Sequence, residues 1–391
     1  MAIVAPVADT ARWRGRHIFR ACAALLIPAA LAAGPGVASA SVASCNVWTG
    51  VPAPNQGAVA NSLNGVTALS PCNVWAVGYY QDAVNGARLS LAEHWNGSSW
   101  SISLPPGPDS NTNILNAVSA SSLDHVWAVG QTGIASYIVR WNGSIWAQVP
   151  SPSPGNLDNN LHGVAAISGT GAWAVGQYSS GTGSNVLVLR WNGSKWMQTP
   201  APSPGSNSEL EGVAGLSPRN VWAVGGFSTS KGSKTLIEHW NGTTWAQVPS
   251  PNPRDLNGDI ILDGVAATSA SNVWAVGAYA GGGRLKTLVE HWNGRVWKIV
   301  PSPSAGSFSA LASVTTASAR NAWAVGDSIS QSKRKTLILH WNGRAWNRVA
   351  SPSPGGSSEL LGVAATGHQG VWAVGDWTSG GMGRVLVTHC C

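Results

Sequence analysis

The stretch LEGVAGLSPRNVWAVGGFSTSKGSKTLIEHWNGTTWAQVPS, Leu210 to Ser250, holds one whole unit of a pattern that recurs through the chain. Its Trp-Ala-Val-Gly occurs seven times, with Trp at 75, 127, 173, 222, 274, 323 and 372, spaced by 46 to 52 residues. Between successive copies lies Trp-Asn-Gly, at Trp95, Trp141, Trp191, Trp240, Trp292 and Trp341. A second tryptophan follows each five residues later, at 100, 146, 196, 245, 297 and 346. Pro/Ser-rich segments such as VPSPSPGNLDNN (149–160) then lead to the next Leu-x-Gly-Val-like motif. A fixed period of this length marks a repeat architecture.

Each unit is expected to form four strands: A (Leu210–Leu216), B (Asn220–Gly225), C (Thr235–Trp240) and D (Thr244–Val248). Asn-Gly after a β-run is the strongest short hairpin signal. A two-residue turn at Asn96-Gly97 sets Trp95 opposite Ser98 and Glu93 opposite Trp100, so both tryptophans share one face as diagonal neighbours. Strand B is apolar on both faces, so both must be covered. A radial stack of four-stranded blades covers them.

The ends complete the argument. The seventh unit stops at Cys390-Cys391, before any strand D, while Trp48-Thr-Gly-Val-Pro52 matches Trp245-Ala-Gln-Val-Pro249. Trp48 also precedes Trp75 by 27 residues, within the 26 to 29 of the other units. The expectation is an all-β fold, a seven-bladed β-propeller whose ring is closed by the N-terminal strand completing the C-terminal blade.

Composition agrees. Only 10% of the 391 residues are charged, with 47 Gly, 23 Pro and 22 Trp. That excludes a coiled coil, which needs Ala, Glu, Lys and Leu in bulk, and supplies too much apolar surface for disorder. Arg12, Arg14, Arg16 and Arg20 precede the apolar run Ala21–Ala33 and the Ala38-Ser39-Ala40 site. Residues 1–40 are therefore expected to be a signal peptide and 41–391 the exported propeller. Val42-Ala43-Ser44-Cys45 also fits a lipoprotein processing site, an alternative cell-surface attachment. No later stretch is long and apolar enough to span a bilayer. Four cysteines remain after Cys22 is removed. Strand alignment brings Cys45 near Cys390 or Cys391 for a bridge that locks the ring, with Cys72 taking the other.

The 210–245 residues resemble a kelch repeat, the galactose-oxidase type of propeller unit. Leu-Glu-Gly-Val-Ala-Gly-Leu precedes Val-Trp-Ala-Val-Gly-Gly, and Glu-His-Trp-Asn-Gly-Thr-Thr-Trp follows. Only Gly225-Gly226 keeps the double glycine after Trp-Ala-Val. Gly97–Trp100 and Gly242–Trp245 are similar to the end of an Asp-box hairpin, with Trp at the Asp position. Kelch-like propellers serve mostly as binding platforms, so the resemblance implies binding by a bacterial secreted protein.

Strand alternation puts the A–B and C–D turns on one rim and the D–A and B–C loops on the other. The latter vary in length, and scaffolds carry recognition on variable loops. The repeated tryptophans are expected in the core. Two residues after each Trp-Ala-Val-Gly come Tyr80, Thr132, Tyr178, Phe227, Tyr279, Ser328 and Trp377. The aromatic members, Tyr80, Tyr178, Phe227, Tyr279 and Trp377, either stack on a ligand or pack the B–C loop. Near the channel mouth, the residue after each strand-A Leu reads Asn64, Asn116, His162, Glu211, Asp263, Ala312 and Leu361. The first five form a polar arc.

The expected role is a monomeric binding propeller for a glycan or a surface protein, without cofactor or metal. The alternatives are a polysaccharide hydrolase or lyase using Glu211, Asp263, Asp327 and Asp376, or a structural envelope protein. No phosphate loop, Gly-x-Ser-x-Gly or His-Glu-x-x-His occurs. Asp255-Leu-Asn-Gly-Asp259 lacks the remaining ligands of a calcium loop. His94, His239, His291, His340 and His389 fall one to a unit, so they cannot meet at one metal. Asn96, Asn142, Asn192 and Asn241 match a glycosylation pattern that the hairpin already demands. Of the net charge of +7, +3 sits in the first twenty residues. With Lys333-Arg334-Lys335 the longest basic run, nucleic acid is not an expected partner.

Overall fold

Val, Trp and Ala of each Trp-Ala-Val-Gly run occupy the second strand of a four-stranded antiparallel meander. In the fourth unit the strands are Ser208–Ser217, Asn220–Thr229, Gly232–Trp240 and Trp245–Gln247. Strands B and C extend past the expected ends because pairing continues to Thr229↔Gly232. A computed structural model describes residues 47–107, 112–367 and 370–390. All regular structure among them is β-strand, in five four-stranded sheets and one of eight strands. The eight-stranded sheet joins the fifth and sixth units through a single parallel pair, Leu285↔Phe308.

The first strands of successive units lie side by side. A Cβ added to Gly212 would sit 3.0 Å from Asp263 O of the next unit. One on Gly362 of the last unit would sit 3.1 Å from Gly65 Cα of the first. The termini meet as well. Thr49 pairs with His389 and Gly50 with Thr388. The Val51 N–H donates to Val387 O at 2.9 Å, and the Thr388 hydroxyl donates to Thr49 O at 2.9 Å. The N-terminal segment is thus the fourth strand of the last unit.

No unit has a core of its own. Trp173 of the third unit lies 4.9 Å from Trp240 and 5.2 Å from Trp245 of the fourth. The second contact is T-shaped, an arrangement that contributes about 0.5–1.5 kcal/mol beyond area burial. Trp372 meets Trp95 and Trp100 of the first unit in the same way. At the remaining seam Trp48 sits edge-on to Trp323 at 5.5 Å, with Cys390 buried beside them. The seven Trp-Ala-Val-Gly tryptophans are at most 3% exposed. The His of each C strand stacks on its own unit's tryptophan, as His94 does on Trp75 at 4.3 Å. Where His is absent, Arg140 and Arg190 lie over Trp127 and Trp173. These histidines are structural, and burial pushes His389 down to about 4.

The hairpin differs from the expected two-residue turn. Trp95 pairs directly with Trp100, not diagonally, and Asn96 to Ser99 form a four-residue loop. The reason is the Asn96 side chain, whose Oδ1 accepts the N–H groups of Ser98 and Ser99 at 2.9 and 3.0 Å. Only Gly97, at φ 99°, then needs the left-handed region. The motif glycine of strand B answers a different demand. A Cβ on Gly225 would fall 2.0 Å from Glu209 O, opposite the irregularity between Leu210 and Gly212 in strand A.

Three buried carboxyl groups lie in the seams. Glu93, Glu238 and Glu290 are fully buried, and burial pushes each up to about 8. Glu290 accepts the Ser250 hydroxyl at 3.0 Å. Both oxygens of Glu93 and Glu238 lack a hydrogen-bond partner. The residue at Ser250's place is Ala53 before Glu93 and Ala201 before Glu238. A carboxyl raised on folding holds its proton more tightly in the native state. The stability it permits is complete below its ordinary pKa and is lost as pH rises through about 8. The same register carries buried Leu189 and Leu339 in other units. Glu238→Leu should therefore stabilise the fold by about 1–3 kcal/mol at alkaline pH and less in mild acid. Melting curves at pH 5.5 and 8.5 test this; an equal gain at both, or a loss, contradicts the assignment.

Candidate functional site

The polar arc comes together as expected from its register. Asn64, Asn116, His162, Glu211 and Asp263 line one cavity of about 170 Å³ on the axis, closed by Ala312 and Leu361. Asn64 Nδ2 donates to Leu115 O at 2.8 Å, and Asn116 Nδ2 donates to Leu161 O at 2.9 Å. Each Asn ties its own first strand to that of the next unit. His162 Nδ1 and Glu211 Oε1 are 2.7 Å apart across the following seam. Burial lowers the proton affinity of His162, but the Glu211 hydrogen bond and the carboxylates of Glu211, Glu209 and Asp158 raise it above the ordinary value. Asp263 accepts no hydrogen bond from a described residue. Burial, helped by Glu211 and Glu209 and opposed by His162, pushes it up to about 8.

The five aromatic residues do not gather at the axis. Tyr80, Tyr178, Phe227, Tyr279 and Trp377 are half-buried, each against the hydrophobic cluster of a different seam. The D–A loops lie on them: a Cβ on Gly205 would be 3.0 Å from the Phe227 ring, and one on Gly355 would be 2.6 Å from Trp377. Tyr279 also lies under Lys286, 5.6 Å from its ring. The B–C loops vary less than chain spacing implied. Residues 82–87 make a six-residue loop in the first unit, whereas Gly282-Gly283 and Gln331-Ser332 are two-residue turns. The longer spacing of the first unit goes into that loop, and the shorter spacing of the second into shorter strands.

Asp327 and Asp376 belong to a second group at the same rim. Arg334 Nη1 donates to Glu359 Oε2, and Arg334 Nε lies 3.5 Å from Asp327 Oδ2. The Ser62 hydroxyl donates to Asp376 Oδ2 at 2.9 Å. Burial raises Asp327 and Asp376 to about 6, with Glu359 adding to it and Arg334 opposing. The repeat pattern alone does not single out Glu209, Glu359 or Arg334. Scanning the residue before each strand-A Leu, as well as the one after, finds the two glutamates. Arg334 is hidden in a basic triplet that resembles a solvated loop.

The Asp255–Asp259 stretch does not form an ion loop: Asp255 accepts Lys286 Nζ at 2.5 Å, and Asp259 accepts the Ser233 hydroxyl at 3.1 Å. Among the described residues no group of three or more His, Cys, Asp or Glu is placed to hold a metal ion. Among them no helix is long and apolar enough to cross a membrane. Cys72 lies in the turn after Asn61–Ser70, and Cys390 ends Met382–Cys390. Neither is without a partner. Cys45, Cys391 and the whole of 1–40 lie outside the described residues.

No protein-family model and no curated protein matches the chain. Solved structures are similar in fold. U3-55K is 11% identical, with 88% of this chain and 98% of that one covered at a TM-score of 0.57. YCF48 bound to D1 peptide is 14% identical over 91% and 100%, at 0.54. The GH74 xyloglucanase from Xanthomonas campestris is 16% identical over 84% of this chain and 53% of that one, at 0.50. The chain is a β-propeller. At these identities the likeness shows the fold and leaves activity to the site.

The Arg334 group yields a test of the rim's electrostatics. Arg334→Gln removes the cation from between Asp327 and Glu359, leaving carboxylates to repel one another. Near pH 5, Asp327 and Asp376 already carry protons, so the drop in melting temperature should be larger at pH 8 than at pH 5. Equal drops would show that Arg334 acts by packing on Phe308, over which it also lies.

Proposed function

We propose that this chain is an exported, monomeric interaction propeller that binds a segment of a partner protein over the channel mouth on the D–A and B–C rim. The observation that carries the proposal is the axial cavity. Five consecutive units turn polar side chains into it, while hydrophobic clusters fill most of the seams around it. A protein segment presents the polar groups such a cavity matches, and protein interfaces are built around a few anchored side chains. YCF48 bound to D1 peptide is a propeller of similar fold that holds a peptide, which favours the same class of partner here. A glycan is the alternative partner. It needs open ring faces, and the five aromatic residues are engaged in seam packing.

In this proposal the eight-stranded sheet counts as two blades joined at one pair, giving seven kelch-like blades in all. Residues 1–40 are the export signal and 41–391 the propeller, acting without metal or cofactor. A hydrolase is the second reading. A carboxyl kept protonated at Asp263 beside Glu211 is the acid-and-carboxylate pairing that polysaccharide hydrolysis uses.

Peptide and glycan arrays probed with residues 41–391 test the partner class. Peptide binding should fall at least tenfold in Glu211→Ala and stay unchanged in Ser98→Arg, on the opposite rim. Binding confined to glycans, or lost only on the opposite rim, defeats the proposal. Release of reducing ends from xyloglucan or another β-glucan would favour the hydrolase.

The ring carries a covalent lock in this proposal: Cys45 pairs with Cys390 or Cys391, and Cys72 with the other. Peptide mapping under non-reducing conditions should recover both links. A free or lipid-modified Cys45 rules the lock out.

A further inference from the structure

We propose that the channel between the third, fourth and fifth units receives one basic side chain, a lysine ammonium or an arginine guanidinium, from the bound partner. The inference rests on the interaction-propeller reading and names the group that the partner presents.

The register of strand A supplies the first reason. In the first two units an Asn at this position donates its amide N–H to a main-chain carbonyl of the next unit. Glu211 and Asp263 stand at the same register but, when ionised, can only accept. The row of donors therefore stops at His162, and two carboxyl groups face the cavity in its place. His162 satisfies Glu211. Asp263 has no donor among the described residues, although protein surrounds it closely enough to hold its proton to about 8. Asp263 is half-buried and faces the cavity, so a donor-bearing ligand there gains a charge-assisted hydrogen bond that no described side chain supplies.

Charge and size agree. The chain is basic overall, yet Glu211 and Asp263 face the channel, with Glu209 acting on Asp263 from behind, against a single histidine. Arg334, the nearby cation of the rim, is committed to Asp327 and Glu359. Low-dielectric walls focus such a field and favour a cation entering from solvent. A dry cavity of ~150 Å³ admits a group the size of benzene, so about 170 Å³ admits the stem and head of one basic side chain.

Proton linkage gives the site a signature. An ammonium beside Asp263 favours its ionised form, so binding releases the proton that the empty channel retains. His162, raised by the same carboxylates, also gives up its competing charge as pH rises. Affinity should increase between pH 6 and pH 8.

The probe is acetyl-Gly-Lys-Gly-amide, titrated calorimetrically into residues 41–391 beside its Nε-acetyl-lysine and arginine counterparts. The lysine peptide, or the arginine one, should bind at least tenfold more tightly than the acetylated peptide, and several-fold more tightly at pH 8 than at pH 6. Asp263→Asn should weaken binding at least tenfold and flatten the pH dependence. Its melting temperature should hold, because Asn64 and Asn116 occupy the same register. If that variant melts early, Glu211→Gln replaces it with the same expected loss. Equal binding of charged and acetylated peptides, no binding of any, or unchanged binding by a folded variant overturns the inference. Array peptides that bind the rim yet ignore lysine acetylation and Asp263→Asn sink this inference alone. Absence of every array hit sinks the interaction reading beneath it.

Discussion

The contact on which the rest of the structure depends is made between units, not within them. Six of the seven Trp-Ala-Val-Gly tryptophans are covered by the paired hairpin tryptophans of the next unit, as Trp173 is by Trp240 and Trp245, and the seventh, Trp323, by Trp48. A unit taken alone leaves that ring in water. A linear array would leave one at its end, at a cost of several kcal/mol for the exposed aromatic surface. Trp48 removes the problem by covering Trp323, and Trp95 with Trp100 covers Trp372. The same geometry explains the secondary features of the repeat. In the first, fourth, fifth and sixth units the first hairpin indole ties its C strand to its own A–B turn, as Trp240 Nε1 does by donating to Pro218 O. His or Arg fills the remaining face of the strand-B tryptophan.

Close seams also make the channel narrow. Glycines along strand A allow first strands to approach to near backbone contact, so side chains next to them have little choice but to reach across to a neighbour. Asn does this neutrally in the first two units. His162 and Glu211 do it as a pair, and Asp263 does not do it at all. Polarity is concentrated on the axis because the seams tolerate it badly. Glu93 and Glu238 show what happens there: with Ala where Glu290 finds Ser250, their carboxyls stay protonated and unpartnered.

The motif period, the apolar strand B and the match of Trp48 to Trp245 were enough to place every strand and to anticipate the join of the two ends. They depend on hydrophobic periodicity and local turn residues, which are one-dimensional properties. The polar arc was legible for a related reason: a fixed register in a repeat maps directly onto one level of the axis. The hairpin register was not, because the choice between a two- and a four-residue loop rests on where the Asn96 side chain finds donors.

Sequence alone therefore determined the strand order, the burial of the tryptophans and which residues share the axis, since these follow from repetition and alternation. Tertiary structure decided what those residues do to each other. The aromatic row was diverted into seam packing by the D–A loops that lie across it. Arg334 was drawn from its basic triplet to Glu359 and Asp327, and Asp263 was left without a donor beside a paired Glu211. Charge pairing and burial depend on distances between units some fifty residues apart in sequence, and closing the sheets around one axis sets those distances.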